Sequence, residues 1–317
     1  MAIDIFNIQP NIIDPSIKGK IFWFYGEPGT RKTTVAAHFP SPLLLATEYG
    51  YKFINGVKAA NLTNWNDMRQ IYRQLKTEEA QQMYKTIVFD RADTLYDYCK
   101  EYIIKMWNSN LKSGEPIRDL NETPYSSGYS MARKEFNSVI KGLESLGYGL
   151  VFITHDKVDM EKITKQDLEN NAAKVLRGYT DFIFLLRKEK IDNKDTVIAY
   201  SQMVGADSKS RVRYFTPKFE FNYENLEKEL KLAIDKQIQM EGIKVAVQEK
   251  QKTEERGLEE IKTSVINLAQ NLQKTPKWEG VVNTITTIMQ GTPISKAEEE
   301  HREKLLILET YLIGIED

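Results

Sequence analysis

Residues 21–39 read IFWFYGEPGTRKTTVAAHF: an apolar and aromatic run, a glycine-bearing turn, then Lys32-Thr33-Thr34 opening a short helical stretch. Strand, turn and helix in that order form the context of a phosphate-binding P-loop, whose pattern is G-x-x-x-x-G-K-[ST]. Gly26, Lys32 and Thr33 match it, and Arg31 stands where the second glycine belongs. The expected nucleotide cradle is therefore Gly26, Glu27, Pro28, Gly29, Thr30, Arg31, Lys32, Thr33 and Thr34. Backbone N–H groups between Glu27 and Thr33 wrap the phosphates, Lys32 bridges the outer two, and the Thr33 hydroxyl holds Mg²⁺. Arg31 has three readings. It takes a left-handed backbone at roughly 1–2 kcal/mol with its guanidinium outward, it adds a phosphate ligand, or the loop is degenerate and turns over poorly.

The other apolar runs surround this motif. Ile21–Tyr25, Leu43–Ala46, Thr86–Asp90, Gly149–Thr154 and Phe182–Leu186 read as strands, and helical patterns fall at 32–39, 64–76, 92–107 and 129–146. Alternating elements with continuously apolar strands predict an α/β fold whose mainly parallel sheet is covered on both faces. Thr196–Ser201 and Val212–Phe215 read as antiparallel strands around a Gly205-Ala206-Asp207 turn. From 223 onward the composition changes to charged helices. Leu258, Ile261, Val265, Leu268 and Leu272 share one face, Trp278, Val281, Val282, Ile285 and Ile288 follow, and Ser295 with Glu298 form a capping box before a last helix. The expected domains are 1–222 and a helical region 223–317, with a linker near 241–257.

Composition narrows the function classes. The chain has 317 residues and a net charge of −1, against a strongly basic nucleic-acid binder. Residues 221–317 hold 13 Lys/Arg and 18 Asp/Glu, which leaves 31 and 27 for residues 1–220, a mildly basic front and an acidic tail. No run approaches the length of a membrane span, and the N-terminus lacks a signal-peptide pattern. One cysteine, Cys99, rules out an internal disulfide and suits a reducing cytoplasm. Its neighbours at helical spacing make it a packing residue.

Three further positions carry chemistry. Asp90 ends YKTIVFD, the Walker B arrangement, in which a strand beside the P-loop strand presents a carboxylate to the Mg²⁺ water shell. Glu48 follows LLLA at a strand's C-terminal end, where active sites of open parallel sheets gather, and can deprotonate an attacking water. His155 closes GLVFIT, where a polar side chain can touch the γ-phosphate.

The succession GEPGTRKTT, LLLATE, IVFD, ARKEFNSVIKGLESLG and GLVFITHDK resembles the RecA-type P-loop ATPases. It is most similar to their short phage-encoded branch linked to single-strand annealing and recombination. The likeness spans about residues 18–216. It implies a RecA-like core, ATP with Mg²⁺, homo-oligomers and single-stranded DNA as a partner. By that likeness Glu48 is the catalytic acid, His155 the sensor, and Lys209, Arg211 or Arg213 of SKSRVRYF reach a neighbour's ATP. DNA-contacting loops would be 108–130, with Tyr125 and Tyr129 able to stack on bases, and 156–178. Two other readings stay open: a nucleotide-gated interaction module with little hydrolysis, its helical tail meeting a protein partner, and another P-loop motor such as a helicase loader.

Overall fold

A computed structural model describes residues 13–111, 114–158, 163–241, 258–273, 277–298, 301, 304–305, 307–309 and 311–312. The chain runs β1 (Ile21–Gly26), α1 (Lys32–Ala36), β2 (Pro42–Ala46), β3 (Lys58–Asn61), α2 (Trp65–Gln74), α3 (Glu78–Met83), β4 (Thr86–Asp90), α4 (Ala92–Ser109), α5 (Ser127–Ser145) and β5 (Gly149–Thr154). A short hairpin follows, β6 (Asp156–Val158) and β7 (Thr164–Gln166), then α6 (Asn170–Tyr179), β8 (Phe182–Ile191), β9 (Lys194–Tyr200), β10 (Lys209–Ser210), β11 (Lys218–Glu220) and α7 (Tyr223–Glu241). Beyond it lie α8 (Leu258–Leu272) and α9 (Trp278–Met289).

Among the described residues the main sheet has nine strands in the order β11-β9-β8-β1-β5-β4-β2-β3, with β10 also on β8. Pairing is parallel from β8 through β3, and β9, β10 and β11 add antiparallel edges. The α/β class with a mainly parallel sheet thus holds. One expectation is corrected. The Asp90 strand does not lie beside the P-loop strand, because β5 stands between β1 and β4.

The strands are apolar throughout because both faces are covered. Alternate side chains point to opposite sides. Trp23, Tyr25, Leu45, Phe89 and Phe152 join one core with α2, α4, α5 and α6. Phe22, Phe24, Leu44, Val151 and Phe184 join the other with α1 and α7. Cys99 is buried in the first, its thiol against the Ala132 carbonyl oxygen at 3.5 Å, and burial raises its pKa. That is packing, as its spacing implies.

The second core moves the expected boundary at 222. α7 buries Leu226, Leu230, Ala233 and Ile234 in it, so this helix belongs to the α/β unit although its composition resembles the tail. The linker expected near 241–257 lies almost wholly outside the described residues. In the remaining unit Ile261, Val265, Leu272, Val281, Met289, Leu305, Leu308 and Leu312 form a separate core. Ser295 lies inside a 3₁₀ turn, Ile294–Lys296, and the Glu298 amide donates to the His301 ring at 3.3 Å, in place of the expected capping box.

Two segments after β5 differ from their reading as a loop and a strand. The stretch 156–178 contains the β6–β7 hairpin and α6. Val212–Phe215 is no strand; Phe215 instead packs its ring among Phe182, Phe184 and Phe219. The strand expected at Thr196–Ser201 is β9, antiparallel to both β8 and β11. None of the helices among the described residues is long and apolar enough to cross a membrane.

Candidate nucleotide site

Strand register sets the site. Tyr25 pairs with Thr154, Ile153 with Asp90, and Asp90 with Ala46, so the C-terminal ends of β1, β5, β4 and β2 form one row. The P-loop, His155, Asp90 and Glu48 therefore line one cleft of about 410 Å³. Open parallel sheets bind ligands at that edge.

Gly26 leaves β1 at φ 148°, and a Cβ there would stand 2.3 Å from the Leu186 carbonyl oxygen, so glycine alone fits. Gly29 also has a left-handed φ, +76°. Arg31 takes φ 57° and ψ 22°, the left-handed conformation its missing glycine would have accepted, and it is exposed. The backbone carries the left-handed strain, and Arg31 stands among the residues that line the cleft.

Lys32 folds back into the loop, its Nζ donating to Gly26 O at 2.7 Å, Glu27 O at 2.8 Å and Thr30 Oγ1 at 3.2 Å. Burial lowers its pKa to about 8, against the opposing pull of Asp90 and Asp156. An incoming phosphate would replace neutral carbonyls with charge and favour the ammonium form. The Thr33 hydroxyl donates to Asp90 Oδ2 at 2.7 Å, and burial holds the Asp90 carboxyl above its ordinary value. A hydroxyl and a buried carboxylate joined at the cleft floor form the oxygen donor set that a hard divalent cation takes. Thr33 and Asp90 would hold Mg²⁺.

Glu48 lies at the rim with its carboxylate 2.9 Å from Arg91 Nη1. Arg91 also holds Asp93 and donates its backbone N–H to Thr47 Oγ1 at 3.1 Å. The sequence reading missed Arg91, though its place directly after Asp90 was the available signal. His155 lines the cleft, and its Nδ1 is buried without a hydrogen-bond partner among the described residues. Phe53, 98% exposed, stands at the rim with Ile54 and offers a ring to a nucleotide base.

Two cations on β8 were also missed, because only the pairing of Gly26 with Leu186 brings the following residues to the loop. Arg187 Nη1 lies 2.7 Å from Asp156 and 3.4 Å from Glu27. Lys188 Nζ lies 3.0 Å from the position a Cβ on Gly29 would take.

Lys209 and Arg211 lie elsewhere. Lys209 pairs with Ile183 near the start of β8, whereas the P-loop adjoins Leu186 at its other side. Lys209 Nζ donates to Arg177 O at 2.8 Å, Arg211 Nε lies 3.0 Å from Asp181, and Arg213 lies 3.6 Å from Glu241. Within one chain these residues do not join the cleft. Tyr125 is fully exposed, while Tyr129 packs against the core.

A family model described as an AAA domain, AAA_24, matches residues 18–221, and the chain belongs to that family. It is also 27% identical over 332 aligned residues to the SPbeta prophage-derived uncharacterized protein YorG of Bacillus subtilis (strain 168), covering 100% of this chain and 99% of the relative.

Proposed function

We propose that this AAA-domain protein binds ATP with Mg²⁺ and hydrolyses it, and that the ATP-bound form assembles on single-stranded DNA in the cytoplasm. The observation that carries the nucleotide reading is the 2.7 Å bond from Thr33 to Asp90 directly behind the buried Lys32 ammonium. It joins the last residue of the phosphate motif to the acid of a second strand. Bound Mg²⁺ would supply charge neutralisation on the phosphates.

The chain's own groups divide the remaining work. The loop backbone and Lys32 fix the phosphates. Glu48 orients a water and receives its proton, once Arg91 releases it. His155 reports the outer phosphate to the hairpin that begins at Asp156. Binding energy is best used where charge develops in the transition state, which is the place of Lys32 and of the oriented N–H groups.

DNA and self-assembly rest on the likeness to RecA-type recombination proteins, supported by the exposed Tyr125 ring, a surface on which a base can stack. One observation favours a second reading, a nucleotide-gated module with slow turnover: the Glu48 carboxylate is already paired with Arg91. Its helical C-terminal unit would then meet a protein partner.

ATP hydrolysis measured with and without single-stranded DNA separates the two. Stimulation supports the first reading; binding with negligible turnover in both conditions supports the second. Lys32→Ala tests their shared premise. Removing the ammonium lowers affinity for a fluorescent ATP analogue at least tenfold, about 1.4 kcal/mol. Unchanged binding would mean that the cleft is not a nucleotide site.

A further inference from the structure

Arg187 and Lys188 are consecutive on β8, both beside the P-loop, yet their charges are handled differently. Arg187 is neutralised between Asp156 and Glu27, at 2.7 and 3.4 Å. Lys188 is exposed, and its ammonium makes no ion pair or hydrogen bond among the described residues. Its Nζ and Cε nevertheless lie 3.0 and 3.6 Å from where a Cβ on Gly29 would stand. Gly29 sits at the turn of the phosphate loop with φ +76°. Lys32 enters the same loop from inside, held by Gly26 O and Glu27 O. An unpaired cation thus stands beside Gly29, a residue of the cleft lining, in a loop built to collect anions.

We propose that Lys188 is a catalytic cation supplied in cis to the outer phosphates. The inference rests on the ATP-binding reading above. In hydrolysis the water oxygen bonds to the γ-phosphorus, and the bond from that phosphorus to the β–γ bridging oxygen breaks. The bridging oxygen keeps the electron pair as part of ADP, and the water's proton passes to Glu48. Negative charge therefore moves toward the bridging and β-phosphate oxygens as the bond lengthens. An ammonium on the Gly29 side of the loop stabilises that charge, as an arginine does in other P-loop enzymes whether it comes from the same chain or a neighbour. The basic residues expected for this task, Lys209 and Arg211, adjoin the opposite end of β8 and hold groups of their own chain. With Lys188 in cis, a single chain can turn over without a neighbour.

The test uses the full chain and four proteins: wild type, Lys188→Ala, Lys188→Arg and Lys190→Ala. The last is the same charge change two residues further along β8. Affinities for ADP and for a non-hydrolysable ATP analogue are measured by titration, and turnover by phosphate release. In Lys188→Ala the preference for the ATP analogue over ADP falls about tenfold, with ADP affinity kept, and turnover falls about 10²-fold. Lys188→Arg restores most of both, and Lys190→Ala leaves the preference unchanged. Wild-type turnover per chain stays constant on dilution. A wild type that binds the analogue while Lys188→Ala keeps the full preference overturns the role of Lys188 alone. A wild type that binds neither nucleotide overturns the ATP reading together with it.

Discussion

Arg31 holds a left-handed backbone, φ 57° and ψ 22°, at the head of α1, and is exposed at the cleft lining. That conformation costs an L-residue roughly 1–2 kcal/mol, and glycine returns about 0.5–1 kcal/mol of it through unfolded-state entropy. Arg31→Gly should therefore raise stability by up to about 1 kcal/mol and leave ATP affinity intact, as thermal melting and titration would show. A clear loss of affinity would make the guanidinium a phosphate ligand. Glu48 has a different signature. It faces the cleft, 2.9 Å from Arg91, and does not touch the Thr33–Asp90 pair that would hold the metal. Glu48→Gln removes the proton acceptor while keeping the side chain's shape, so nucleotide affinity should persist and hydrolysis should fall by about 10²-fold or more. Normal turnover in that variant would place water activation at another group.

Elements were legible where local pattern and tertiary demand agree. β1, β2, β4 and β5 are largely apolar runs, because helices cover both sheet faces, and stand within a residue of where those runs predict them, whereas β8 continues past its apolar run to Ile191 through charged residues. Their shared edge made Lys32, Asp90 and Glu48 findable as single positions. What stayed hidden depends on pairing between distant segments: β5 inserting between β1 and β4, Lys188 arriving over Gly29, and Lys209 joining the far end of β8. Phe215 misled for a related reason, since an aromatic filling a core reads like a strand residue. α7 is the clearest case. Its charged outer face matches the tail, but Leu226, Leu230, Ala233 and Ile234 close the second core over the Phe24 face of the sheet. Burying each such aliphatic side chain contributes about 1.5–3 kcal/mol, with alanine less. A chain ending at residue 222 should aggregate or melt far earlier, whereas one ending at 241 should fold and bind nucleotide. Equal melting temperatures for the two truncations would show that α7 is dispensable to the α/β unit.

At the scale of the whole molecule the open question is what satisfies the cations at the far end of β8. Lys209, Arg211 and Arg177 crowd together there, and burial, with Arg211 and Arg177 beside it, lowers the Lys209 pKa. Asp181 and Asp207 offset part of this charge through Arg211 at 3.0 Å and through Arg177. A cluster of like charges with one carboxylate per arginine is electrostatically incomplete and favours an approaching anion. Under the proposed assembly that anion would be a neighbouring chain's nucleotide, a role open to the cluster because it lies away from its own P-loop. If Lys188 sustains basal turnover in cis, the cluster's share is assembly and DNA-stimulated turnover. The Lys209→Ala/Arg211→Ala protein should then bind ATP like wild type and keep its unstimulated rate. It should fail to form large particles with ATP and single-stranded DNA in light scattering, and single-stranded DNA should no longer accelerate its hydrolysis. Wild-type scattering together with wild-type stimulation would return both residues to a purely local task, holding the carbonyl end of α6 and Asp181.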